Sequence, residues 1–261
     1  MTVKTRVKLC IRWAVVRPET ALRHLRAVNT HNRNMSPDRV ALYATDMRDG
    51  HWLQSTQPIL FDEHGVLLDG QHRLAAVVDS DTTQTFLFIE GVSKEVQLVI
   101  DSGRPRNDAD KLRLGRGLDV TARKVAVAKA MMNPNRFGIV NRRGRARKPT
   151  TTELAGFTKR HDRAISFACS LFTRRHPGVA QASVVGVVAR AWYGGADVLP
   201  RLQQFVDVLY SGINRGEKDV AAILLRDTLS RVAPNSRSSK SSAESYGQIE
   251  AALEAFLDRK N

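Results

Sequence analysis

Five consecutive residues, Asp69-Gly70-Gln71-His72-Arg73, bring a carboxylate, an amide, an imidazole and a guanidinium together between the apolar runs Val66-Leu67-Leu68 and Leu74-Ala75-Ala76. The pattern reads as a short strand, a glycine turn and a helix start. A helix begun this way leaves backbone N–H groups and the positive end of its dipole at Gln71 and His72, where glycine lets a ligand approach the backbone. Such a place suits an anion, most often a phosphate. Arg73 adds a planar, permanently charged fork that matches phosphate oxygens. A plainer reading is equally open at this point, in which Asp69-Gly70 is only a turn and Arg73 a surface cation.

The elements that must position these residues follow from periodicity. Val3, Val7, Leu9, Ile11 and Trp13 alternate with Lys4, Arg6, Lys8 and Arg12, a period of two that predicts a strand with one basic face. Pro18-Glu19 opens a helix through about Val28, and a polar loop from Asn29 to Met35 carries His31, Asn32 and Arg33. Ser36 as cap and Pro37 at the first helical position predict a second helix with Val40, Tyr43, Ala44 and Met47 on one face, ending at Gly50, with Trp52 and Leu53 packing back on it. Two apolar runs, Pro58-Phe61 and Val66-Leu68, flank Asp62-Glu63-His64-Gly65 as a hairpin with Gly65 left-handed and His64 exposed. A helix over 71–78 and a strand over 85–89 come next, and Ser93 caps a helix to about Ile100. Asn107 or Asp108 caps the segment through Leu114.

After about residue 115 the strand signal disappears. Helices are predicted at Val120–Met132, Glu153–Phe172, Val179–Tyr193, Leu199–Tyr210, Glu217–Arg231 and Ala243–Asp258, with Thr150–Glu153 as a capping box and a serine-rich loop at 234–242. A weak helix-turn-helix look from Thr152 to Ile165 reads better as core packing. The fold class expected is α+β: an α+β domain over 1–115 followed by an all-α helical domain over 116–261.

Charge sharpens the picture. The chain of 261 residues carries a net +15, but 1–101 is neutral, 102–160 holds +12 and 161–261 only +3. Much of this local basicity lies in Arg142, Arg143, Arg145, Arg147 and Lys148, which predicts one electropositive loop with DNA as its first candidate partner. No apolar run approaches the roughly 18 residues needed to span a bilayer. No signal-peptide pattern opens the chain, so a cytoplasmic protein with no membrane partner is expected. Cys10 and Cys169 lack metal-ligand or disulfide spacing and are expected to be buried free thiols.

The order of these pieces resembles the N-terminal domain of the ParB/sulfiredoxin superfamily: the Asn32-Arg33 loop, a helix ending in Gly50, Gln57-Pro58-Ile59, the hairpin, and Gly70-Gln71-His72-Arg73-Leu74-Ala75-Ala76 before the Phe86–Ile89 strand. The preceding Asp69 makes the box its DGQHR variant, of the kind found in actinobacterial phages. The resemblance covers about residues 15–110. It implies a ParB/sulfiredoxin-like fold whose box holds nucleotide phosphates. Two departures matter. The position of the sulfiredoxin nucleophilic cysteine is Gln71, which removes that chemistry. The segment Glu90–Glu95 lacks the second nucleotide motif of chromosome-partition ParB proteins.

Three function classes follow. In the first, the protein is a nucleotide-binding, DNA-associated ParB-like module: Asn32, Arg33, Gly70, Gln71, His72 and Arg73 line a nucleoside triphosphate, Arg104 and Arg106 close over it, and the 142–148 cations hold the DNA backbone. The alternative is an enzyme, a ParB-like nuclease or kinase, in which His72 serves as acid or base and Asp69 or Asp101 orients it or holds Mg2+. A partner-binding protein with a vestigial box is a third class, and a homo-oligomer is compatible with all three. For a phage-encoded chain the cytoplasm is that of the host cell.

Overall fold

The computed structural model describes residues 9–29, 32–100, 106–132, 148–174, 176, 178–231 and 242–258. It is an α+β protein that divides into two compact units, Met1–Pro105 with Asn141–Thr152, and Arg106–Val140 with Glu153–Asn261. Among the described residues no helix is long and apolar enough to cross a membrane.

The first unit contains β1 (Cys10–Val16), α1 (Pro18–Ala27), α2 (Pro37–Arg48), β2 (Ile59–Asp62), β3 (Leu67–Asp69), α3 (Gln71–Ser80), β4 (Gln84–Val92) and a 3-10 turn at Lys94–Leu98. The four strands form one mixed sheet in the order β1-β4-β2-β3. The outer pairs, β1 with β4 and β2 with β3, are antiparallel, while β2 and β4 run parallel. The helices α1 and α2 both pack on α3. Ile59, Phe61, Leu67, Leu74, Phe86 and Phe88 form the heart of the core. Local chemistry explains the boundaries: Ser36 Oγ accepts from the Arg39 N–H with Pro37 in the first turn of α2, Gly65 is left-handed at the hairpin, and Ser93 Oγ accepts from the Glu95 N–H.

Strand β1 departs from the expectation in two ways. Its described part reaches Val16, and the apolar alternate face points outward: Ile11 is 59% exposed and Val15 65%. The core side of β1 carries Arg12, Ala14 and Val16. The register explains this, because Arg12 and Ala14 sit opposite Phe88 and Phe86, whose rings already fill the layer. The Arg12 guanidinium lies over the Phe88 ring and donates to Glu90 at 2.9 Å. Trp52 stacks edge-on to Tyr43 and Phe86 as its position suggests, whereas Leu53 remains 71% exposed. Cys10 is exposed rather than buried, and Cys169 is half-buried; both are free thiols.

The second unit contains α4 (Asp108–Arg116), α5 (Ala122–Met131), most of α6 (Thr151–Arg160), α7 (Asp162–Leu171), α8 (Ala182–Ala191), a 3-10 turn at Trp192–Gly194, α9 (Val198–Ser211), α10 (Asp219–Arg231) and α11 (Ser242–Asp258). Helix α4 packs on α5, and its Ala109 and Leu112 belong to the helical core. It begins with a capping box between Asn107 and Asp110 and ends at left-handed Gly117. Val185, Val188, Leu202, Phe205 and Phe256 lie at the centre of that core.

The single helix expected over 153–172 is instead two, α6 and α7, broken at His161. No proline or glycine causes the break. The His161 ring sits 4.2 Å from the Phe157 ring, and its Nδ1 meets the Tyr193 hydroxyl, a tertiary contact that no local pattern encodes.

Candidate functional site

Gly70 carries the turn from β3 into α3. Its φ of +108° favours glycine, and a Cβ there would overlap the Ile59 side chain. No side chain caps the helix. The first-turn N–H groups of Gln71 and His72 therefore sit at the positive end of α3. All three side chains of the box are more than nine-tenths buried, which excludes the reading of Arg73 as a surface cation.

Burial changes what these side chains do. Arg73 donates to the carbonyl oxygens of Gln57 and Pro58 and pairs with Asp69 at 2.9 Å. It ties the strand entry at 57–58 to α3, and Asp69 is spent on the same contact. The Gln71 amide accepts from Asn29 at 3.2 Å and donates to the Arg33 carbonyl at 2.7 Å. Asn32 donates to Asn29 Oδ1 at 2.8 Å and to the Leu67 carbonyl at 2.6 Å. Gln71 and Asn32 thus hold the loop before α2 against the strand-to-helix turn by satisfying buried amide and carbonyl groups.

His72 joins two helix starts. Its Nε2 accepts the Ser36 backbone N–H at 3.0 Å, and Ser36 caps α2. A ring that accepts at Nε2 is neutral with its proton on Nδ1. Burial holds the His72 pKa below its ordinary value, and the charges of Arg39 and then Arg33 push it further in the same direction, against a weaker opposite pull from Asp69. The imidazole thus lies where the starts of α2 and α3 meet, and the nearby charges of Arg39 and Arg33 oppose its protonation.

The expected site residues are thus partly assembled. Gly70, Gln71, His72, Arg73, Asn32 and Arg33 come together, Arg33 with an exposed side chain. Arg106 lies at the start of the second unit's chain segment. His31, Asp101, Arg104, Arg142, Arg143, Arg145 and Arg147 lie outside the described residues, and Lys148 is exposed. Among the described residues no group of three or more His, Cys, Asp or Glu side chains is placed to hold a metal ion. Arg39 was not legible as a site residue, although a signal existed. A cation in the first turn of a helix opposes the helix dipole, and Arg39 occupies that position in α2.

Comparison of the chain with family models, with curated proteins and with solved structures finds no match in any of the three.

Proposed function

We propose that the protein is a phosphate-binding, DNA-associated protein of the ParB/sulfiredoxin type, with the start of α3 as its nucleotide-phosphate corner. The observation that carries this reading is the meeting of the α2 and α3 starts, where His72 Nε2 accepts the Ser36 backbone N–H at 3.0 Å, with the charges of Arg39 and Arg33 near enough to lower the His72 pKa. An anion there gains from both guanidiniums and from helix N–H groups. Gly70 supplies the left-handed turn that starts α3 there, packed against Ile59.

The reading assigns different tasks within the box. The N–H groups of Gln71 and His72, with Arg33 and Arg39, contact phosphate oxygens. The side chains of Arg73, Gln71 and Asn32 hold the loop and the helix in place. DNA is held by its backbone through Arg142, Arg143, Arg145, Arg147 and Lys148, whose density of positive charge suits phosphates in series. A binding role is favoured over a catalytic one because His72 Nε2 already accepts a backbone N–H and Asp69 is engaged by Arg73.

Calorimetric titration of the full chain with each of the four nucleoside triphosphates, with and without Mg2+, tests the corner. Binding should fall about tenfold or more in the Arg33→Ala/Arg39→Ala double variant. Nucleotide turnover abolished by His72→Ala would instead establish the enzymatic alternative. For DNA, retention should weaken steeply with salt, and the salt dependence should flatten by about one phosphate contact for each cation removed from 142–148. Retention insensitive to salt would refute the backbone reading.

A further inference from the structure

The second unit contains a cavity of about 440 Å³, the size of a small-ligand pocket rather than of a bare ion. Its rim carries Arg123 from α5, and Thr173 and Arg174 from the segment after α7; its walls include Val127, Ala182 and Val185. Among the described residues neither guanidinium meets a carboxylate. Lys124, next to Arg123, does have one in Asp162 at 3.0 Å.

Arg123 is pre-oriented, because one of its terminal nitrogens donates to the Phe172 carbonyl. Arg174 is positioned by its backbone, whose carbonyl accepts from the Tyr210 hydroxyl at 2.8 Å. Burial raises the Tyr210 pKa, while the Arg123 charge, then the hydrogen bond to the Arg174 carbonyl and last the Arg174 charge pull it back. The wall at Ala182 is the first residue of α8, whose cap residue Gln181 makes no side-chain capping bond. The first-turn N–H groups of α8 thus have no side-chain acceptor from the cap residue.

We propose that this cavity is a binding site for a phosphate ester. The phosphoryl oxygens take Arg123, Arg174 and the first-turn N–H groups of α8, and the organic body lies against Val127 and Val185. A phosphate offers enough charge and oxygen atoms to satisfy two guanidiniums and a helix end at once, which a single carboxylate does not. The apolar walls select an ester over the inorganic ion. The ester is that of a free nucleotide or of a nucleic-acid backbone, which share this chemistry. The site does not rest on the α3 corner and uses none of its residues.

The test is calorimetry on the full chain carrying Arg33→Ala and Arg39→Ala, so that the α3 corner does not report. The probes are adenosine monophosphate, a short oligothymidylate and inorganic phosphate. At least one of the two esters should bind more tightly than inorganic phosphate, and adding Arg174→Ala should weaken it about tenfold without changing the melting temperature. Lys159→Ala, which removes one exposed charge, should leave the affinity within about twofold. Binding of the mononucleotide alone identifies a free nucleotide as the ligand; binding of the oligonucleotide alone that Arg174→Ala weakens, and that is thereby separate from retention by the 142–148 cations, identifies the backbone. Unchanged affinity in the Arg174→Ala chain, inorganic phosphate binding as well as the esters, or no binding by either ester overturns the proposal. Because Arg123 also supports the Phe172 carbonyl, Arg123→Lys is the second variant: it keeps the charge and should lose affinity through the loss of the planar fork.

Discussion

At the start of α3 and at the start of α8 the chain leaves a helix N-terminus without a side-chain cap, at Gly70 and at Gln181. The arginines around the two ends are used in opposite ways. Arg73, within the first turn of α3, is 7% exposed and is spent on two carbonyls and a carboxylate. Arg174, beside α8, is exposed and meets no carboxylate among the described residues. A guanidinium enclosed by acceptors is a strut, because removing it leaves desolvated oxygens without donors. One left facing a cavity without an acid is available to an anion. The lesson is that an arginine within a phosphate-type box is not thereby a phosphate ligand; in the proposed reading of α3 that task falls to Arg33 and Arg39.

Removing each arginine in turn separates the two roles most strongly. Arg73→Ala should destabilise the first unit by about 2–4 kcal/mol, since it leaves the Gln57 and Pro58 carbonyls without their donor. Arg174→Ala should cost less than about 0.5 kcal/mol. Urea denaturation and hydrogen exchange of the α3 amides measure both, and equal costs would end the distinction between strut and ligand.

Gly70→Ala should come next, at about 2–3 kcal/mol, since it adds both a left-handed backbone and an overlap with Ile59. Gly65 is also left-handed, at φ +78°, but a Cβ there meets nothing within 4 Å. Gly65→Ala should therefore cost only about 1 kcal/mol, and the difference between the two isolates the steric part. Gln71→Ala and Asn32→Ala should each cost about 1–2 kcal/mol. Their double variant should cost less than the sum, because both bond to Asn29.

Titration tests the electrostatics of the α3 corner. His72 titrates below its ordinary value of 6.5 in the folded chain. Its contribution to stability is complete above 6.5. It declines as pH falls, because the unfolded chain takes up the proton first, and the loss is finished once pH is below the folded pKa. His24 and His161 are shifted in the same direction, so the difference between the native chain and His72→Gln isolates the effect. Inorganic phosphate at the corner should raise the His72 pKa, read by NMR, by offsetting Arg39 and Arg33. A pKa unmoved by phosphate would mean that the corner holds no anion.

The smallest effects should come from the outward face of β1. Ile11→Thr and Val15→Thr should each change stability by no more than about 0.5 kcal/mol. A loss above 2 kcal/mol in thermal or urea unfolding would contradict the exposure of these side chains.

Much of the first unit was legible because its signals are local. Ser36-Pro37 starts α2, Gly65 closes the hairpin and Gly70 turns β3 into α3, each through a backbone preference that a single residue carries. The outward face of β1 was not legible. Alternation gives two faces but does not say which one meets the core, and that was settled by the Phe86 and Phe88 rings on the strand β4 beside it. The break at His161 was hidden for a similar reason: its partner, Tyr193, is 32 residues away.

By itself the sequence determined the α+β class, the order of the elements, the concentration of charge after residue 101 and the presence of a helix start suited to an anion. These rest on composition, period and local backbone preference. Only the tertiary structure decided how each polar group is used: that Arg73 and Gln71 are consumed within the fold, that Arg39 and Arg33 act on His72, and that Arg123 and Arg174, 51 positions apart by their numbering, face one cavity. The reason is physical. Whether a charge is consumed within the fold or left for a ligand depends on which acceptors surround it, and those acceptors come from distant parts of the chain.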